Sequence, residues 1–77
     1  MSDAPGKLPS LNGVKVFEVA ARHLNFRLAA EELGVTQGAV AQQIRGLEAE
    51  LGVKLFERLP RALALTGEGR AYIADVR

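Results

Sequence analysis

Three apolar stripes at helical spacing run along the first two-thirds of the chain. Val14, Phe17, Ala21 and Leu24 recur at intervals of 3, 4 and 3, which places them on one face of a helix. Ser10 ahead of them suits an N-cap, and "RHLN" closes the helix with Asn25 positioned to cap the next one. Phe26, Ala29, Ala30 and Leu33 form the second stripe, and Gly34 suits the left-handed position after it. Thr36 then caps a third helix. Val35 and Val40 occupy the two places of a hydrophobic staple, and Val40, Ile44, Leu47 and Leu51 make a narrow inward stripe that stops at Gly52.

The pattern then changes. "VKLFER" and "ALALT" are short apolar pieces on either side of Leu59-Pro60-Arg61, and a proline between them fits a turn and is foreign to a central ladder. The expectation is a two-stranded hairpin. Thr66 caps a last helix in which Gly69, Tyr72 or Ile73, and Val76 begin a 3–4 repeat. Helix, helix, tight turn, helix, hairpin, helix is the order of a winged helix-turn-helix. This makes a mainly α fold with a three-helix core, a small two-stranded β wing and the start of a C-terminal linker helix. The expected organisation is a flexible tail over 1–9, the winged domain over 10–65 and a linker or dimerisation helix over 66–77.

The outer side of the third helix sharpens the question of function. Opposite its inward stripe lie Gly38, Gln42, Arg45 and Ala49, with Gln37 and Ala41 at the edge and no acid at the centre. Glu48 projects to one side and Glu50 close to the inward stripe. Small residues permit close approach of the backbone to a surface. Gln pairs with adenine and Arg with guanine in a major groove that admits a helix, and the helix N-terminus offers N–H groups to phosphate. Read otherwise, the same face is idle solvent surface. Gly46 costs ~1 kcal/mol relative to Ala inside a helix and would leave room for a neighbouring chain.

Composition adds limits. Seventy-seven residues allow one domain, and 48% apolar with 5% aromatic residues describes a core of Leu, Val and Ala. Without cysteine there is neither a disulfide nor a thiolate metal site, and His23 has no partner at metal-ligand spacing. No cofactor, metal or catalytic constellation is expected. No apolar run approaches the ~20 residues of a membrane span, so the expected location is the cytoplasm. A net charge of +1 says nothing for nucleic acid, but "KLFERLPR" carries Lys54, Arg58 and Arg61 against Glu57 alone. A wing there would track phosphates, a contact that positions without reading sequence.

"AAEELGVTQ", "QIRGLEAELGVKLFER" and "LTGEGR" closely resemble the N-terminal DNA-binding domain of LysR-type transcriptional regulators, over roughly residues 8–77. "LPSLNGVKVFEVAARHLNF" resembles the branch with the glycine-cleavage activator and the β-lactamase-gene regulator. The resemblance implies a dimeric bacterial transcription factor with its linker helix cut short. It also implies an effector domain lying beyond this chain and an interrupted inverted repeat of double-stranded DNA as the target. The helix-turn-helix would span about Asn25 to Arg45.

On that resemblance, Thr36 and Gln37 match the start of the recognition helix, Arg45 a basic position along it, and Arg58 and Arg61 the wing. Gly38, Ala41 and Gln42 stand where the family often has Pro, Ser and Arg, so the target sequence does not carry over from relatives. Arg27-Leu28 stands where Thr-Arg is common, which leaves Arg27 to take the backbone contact or Leu28 to meet a protein. The candidate DNA-binding residues are thus Asn25, Arg27, Thr36, Gln37, Gly38, Ala41, Gln42, Arg45, Arg58 and Arg61. Tyr72, Ile73 and Val76 are candidates for a homodimer contact. His23 is expected to serve the helix end, with proton sensing the sharper alternative. The competing function is a winged helix that binds protein.

Overall fold

The computed structural model describes residues 12–76. Its elements are α1 (Gly13–His23), α2 (Phe26–Leu33), α3 (Gln37–Leu51), β1 (Phe56–Leu59), β2 (Ala62–Leu65) and α4 (Gly67–Val76). This is the winged helix read from the sequence. The expected tail over 1–9 and Ser10 lie outside the described residues.

The helix boundaries follow from their caps. Asn12, not Ser10, opens α1, its side chain accepting from Lys15 N–H at 2.9 Å. Asn25 caps α2 by accepting from Leu28 N–H at 2.9 Å, and Thr36 caps α3 by accepting from Ala39 N–H at 3.1 Å. The turn between α2 and α3 closes on Gly34 at φ 70°, with Val35 N–H donating to the Ala30 carbonyl at 3.0 Å. Glycine suits that backbone because it has no Cβ to clash in the left-handed region. Leu24 adopts the same region at φ 51° without that freedom.

Two of the expected stripes need correction. In α1 the buried residues are Val16, Phe17, Val19, Ala20 and Ala21, while Val14 and Leu24 are exposed at 37% and 43%. The helix packs on α2, α3 and α4 together, so it buries a wide face, and the 3–4 stripe caught only its middle. In α3, Leu51 is 40% exposed and Glu48 is buried in its stead. Glu50 is exposed.

The core gathers Val16, Phe17, Ala20, Phe26, Ala29, Val40, Ile44, Leu55 and Ile73 from every helix and the wing base. Within it the four aromatic residues form a file. Tyr72 lies 5.4 Å from Phe17, Phe17 5.5 Å from Phe56, and Phe56 5.4 Å from Phe26, measured between ring centroids. The last pair meets edge to face at 88°, the favoured arrangement for two aromatic quadrupoles. The file thus joins α4, α1, the wing and α2.

β1 and β2 pair antiparallel with Phe56 opposite Leu65 and Leu59 opposite Ala62. The turn between them holds only Pro60 and Arg61. α4 begins where Thr66 accepts from Gly69 N–H at 2.9 Å. Gly69 is buried, and a Cβ there would collide with the Leu55 carbonyl oxygen. Glycine is what lets α4 lie against the start of the wing.

Candidate nucleic-acid interface

An open groove of about 390 Å³ runs between the N-terminal ends of α2 and α3 and the wing. Asn25, Arg27, Gln37, Arg58 and Arg61 line it, with Leu24 and Leu59 among its apolar walls. Five residues expected from three separate stretches of sequence therefore meet at one surface. Gln37 occupies the first turn of α3, where backbone N–H groups lack helical partners and the helix dipole is positive. Arg58 and Arg61 approach from the wing, both exposed.

Two of these side chains have neighbours that decide how they stand. Arg27 pairs with Glu31 at 2.9 Å, but both are more than 60% exposed, and such a surface pair contributes only ~0.3–0.5 kcal/mol. It is weak enough for the guanidinium to exchange partners. Arg58 lies over the Phe26 ring. Successive residues of a strand point to opposite faces, so Arg58 shares the face of Phe56 and lands on the same aromatic file.

A second cleft, about 320 Å³, opens between the middle of α3 and β1, lined by Ala41, Arg45, Lys54 and Arg58 with Glu48 at its wall. Lys54 is 80% exposed there. It was part of the basic stretch in the sequence yet was not among the candidate residues. Only the crossover from α3 to β1 shows that it faces Arg45.

The remaining candidates fall elsewhere. Gln42 is exposed but borders a separate hollow beside Asn12, Gly13 and Gly46. Gly38 is exposed, and an added Cβ would meet only the Thr36 hydroxyl, at 4.0 Å. Thr36 spends its hydroxyl on the cap of α3. For a dimer contact the three residues of α4 differ in what they leave exposed. Ile73 is 7% exposed and packed into its own domain, which leaves it little surface for a second chain. Tyr72 and Val76 are half-buried against the same core. Leu28 is half-buried, so its outward projection is only partial.

The side of α2 away from the groove carries an ionic clamp. Glu32 accepts both guanidinium nitrogens of Arg22, at 3.0 and 2.7 Å, and lies 2.7 Å from His23 Nε2. Its carboxyl is held down to about 2, first by the Arg22 hydrogen bonds and then by His23. His23 thus serves the end of α1 by joining it to α2. Among the described residues no group of three His, Cys, Asp or Glu side chains could hold a metal ion, and no helix is long and apolar enough to cross a membrane.

Known proteins share this fold. The chain is 56% identical over 71 residues to the glycine cleavage system transcriptional activator of Escherichia coli K12, which covers 92% of this chain and 23% of that protein. It is 58% identical over 67 residues to the transcriptional activator AmpR of Providencia stuartii, covering 87% and 23% respectively. The chain therefore spans less than a quarter of the length of either relative. Among solved structures, the CbnR DNA-binding domain in complex with DNA superposes with a TM-score of 0.80 at 40% identity, over 84% of this chain and 75% of that one. The BenM DNA-binding domain bound to catB site 1 DNA superposes with a TM-score of 0.79 at 31% identity, over 83% and 71%. Residues 11–70 match the family of bacterial regulatory helix-turn-helix proteins of lysR type along their whole length, and the chain belongs to that family.

Proposed function

We infer that this chain is the sequence-specific DNA-binding module of a bacterial LysR-type transcriptional regulator. α3 enters the major groove, where Gln37 and Arg45 read base edges, and the wing lays Arg58 and Arg61 on the phosphate backbone. The observation that carries this reading is the convergence of Asn25, Arg27, Gln37, Arg58 and Arg61 on one groove. Gly38 and Ala41 keep the flanking surface low enough for close approach. The DNA complexes of the CbnR and BenM domains support it.

Two such modules paired through Tyr72 and Val76, the partly covered residues of α4, would read the halves of an interrupted inverted repeat. Effector control belongs to the portion of the relatives that this chain does not span. We assign no catalytic step, and the working location is the bacterial cytoplasm, at the chromosome.

Exposed Leu24 and Leu59 at the groove walls favour a second reading, a protein partner. Salt separates the two, because each phosphate neutralised contributes a slope of about −0.9 to log K against log salt. The test is selection from a randomised duplex pool followed by fluorescence anisotropy. An enriched inverted repeat, lost in Gln37→Ala and weakened uniformly across sequences in Arg61→Ala, is expected. Absence of binding at low salt would remove the DNA reading.

A further inference from the structure

Glu48 is the one buried charged side chain among the described residues. Burying a carboxylate is costly unless its oxygens are met by donors, and here they are. Its side chain accepts from Leu55 N–H at 2.8 Å and from Phe56 N–H at 3.3 Å, with the Lys54 ammonium 3.9 Å away. Its own carbonyl accepts from Gly52 N–H at 2.8 Å and Val53 N–H at 3.3 Å. One residue of α3 thus gathers most of the backbone donors of the crossover into the wing. Every one of these neighbours is a donor, which calls for an acceptor-only group, and a carboxylate is the side chain that answers.

The same crossover is held from its far side. Thr66 N–H donates to the Leu55 carbonyl at 3.0 Å, and the Thr66 hydroxyl donates to the Lys54 carbonyl at 2.6 Å. The Leu55 residue is therefore clasped by α3 through its N–H and by the start of α4 through its carbonyl. Strand β1 starts at the next residue, and Arg58 follows two positions later.

We propose that Glu48 is a positioning residue for DNA binding. It sets the distance and angle of the wing against the recognition helix, so that Arg58, Arg61 and the outer face of α3 meet a duplex as one surface. The proposal rests on the DNA reading above. It differs from a purely local stabilising role, in which losing Glu48 would lower the melting temperature and leave wing and helix in the same relation.

The first measurement needs no DNA. Backbone residual dipolar couplings are recorded for α3 and for the wing in the 77-residue chain and in Glu48→Met, which keeps the length of the side chain but has no oxygen to accept from Leu55 and Phe56 N–H. In the intact protein both sets fit one alignment. In Glu48→Met the wing set departs from it, and amide exchange at Leu55 and Phe56 quickens about tenfold, the equivalent of one buried hydrogen bond. Glu48→Ala is the stronger variant, and if it does not fold, Glu48→Met alone decides. Wing couplings that stay in register with α3 overturn the proposal.

The second measurement uses the duplex recovered by selection. In the intact background Arg61→Ala reduces the salt slope by about 1; in the Glu48→Met background it reduces the slope far less, since the wing no longer sits over its phosphate. An equal reduction in both backgrounds overturns the proposal. If the intact chain binds no duplex, the DNA reading falls separately, and the couplings still settle whether Glu48 orients the wing.

Discussion

The Arg58 guanidinium carbon stands 5.3 Å above the centroid of the Phe26 ring, so a wing residue rests on the first residue of helix α2. The contact places a cation on the negative face of an aromatic ring. Its other side is braced, because Phe26 meets Phe56 edge to face. A charge aimed at the groove is thereby supported by the core.

Phe26→Leu should keep most of the apolar fill while removing both aromatic contacts. The expected loss is about 1–2 kcal/mol of stability, the sum of one aromatic pair and one cation–π contact. Urea unfolding measures it. A midpoint unchanged from the parent protein would show that the Arg58–Phe26 contact contributes nothing.

Two helical glycines should respond to the same substitution with opposite signs. Nothing lies within 4 Å of a Cβ at Gly46, so Gly46→Ala should stabilise by about 0.5–1 kcal/mol. Gly69→Ala drives a Cβ into backbone at Leu55, with the Leu65 side chain also close at 3.0 Å. Overpacking of that kind costs about 1–3 kcal/mol, and thermal melts of the pair should separate in opposite directions from the parent. If Gly46→Ala gains stability but loses DNA affinity, the open space at Gly46 serves a partner.

The Arg22–Glu32–His23 clamp makes an acid-side prediction. The carboxyl of Glu32 is lowered from 4.5 to about 2, chiefly by Arg22. A lowered carboxyl favours the folded state once deprotonated, so the contribution is full above pH 4.5 and fades as pH falls toward 2. Intact protein and Glu32→Gln should differ in stability at neutral pH and converge across that window. Parallel curves down to pH 2 would refute the assignment.

Leu24 holds a left-handed backbone at φ 51° while 43% exposed. That conformation costs an L-residue roughly 1 kcal/mol, and asparagine tolerates it better. Leu24→Asn should therefore raise stability by a few tenths to about 1 kcal/mol, read from chemical denaturation. A loss of stability would mean that the leucine side chain contributes more by packing than its backbone costs.

What the sequence made legible was local. Asn25, Gly34, Thr36, Gly52 and Thr66 act through hydrogen bonds or backbone angles spanning a few residues, so residue type and spacing sufficed. Ser10 and Asn12 are equally good caps by type, and α1 opens at Asn12, where the packed face begins. By sequence Glu48 is a side-facing charge, because its partners, Leu55 and Phe56, come into reach only when the chain turns back after Gly52. The place of Lys54 beside Arg45 depends on the same turn of the chain. The repeat places Ile73 beside Tyr72 and Val76, and in the structure Ile73 packs into the chain's own core.

The connections between elements are short, and most are spoken for. Leu24 and Asn25 close one helix and open the next, Gly34 to Thr36 do the same, and Thr66 alone links β2 to α4 while holding the crossover. An extra residue in any of these joints would break a cap or shift a core residue out of register. Pro60 and Arg61 are exposed and cap nothing. Among the described residues, the tip of the wing is therefore the joint where this domain could lengthen its reach with least rebuilding.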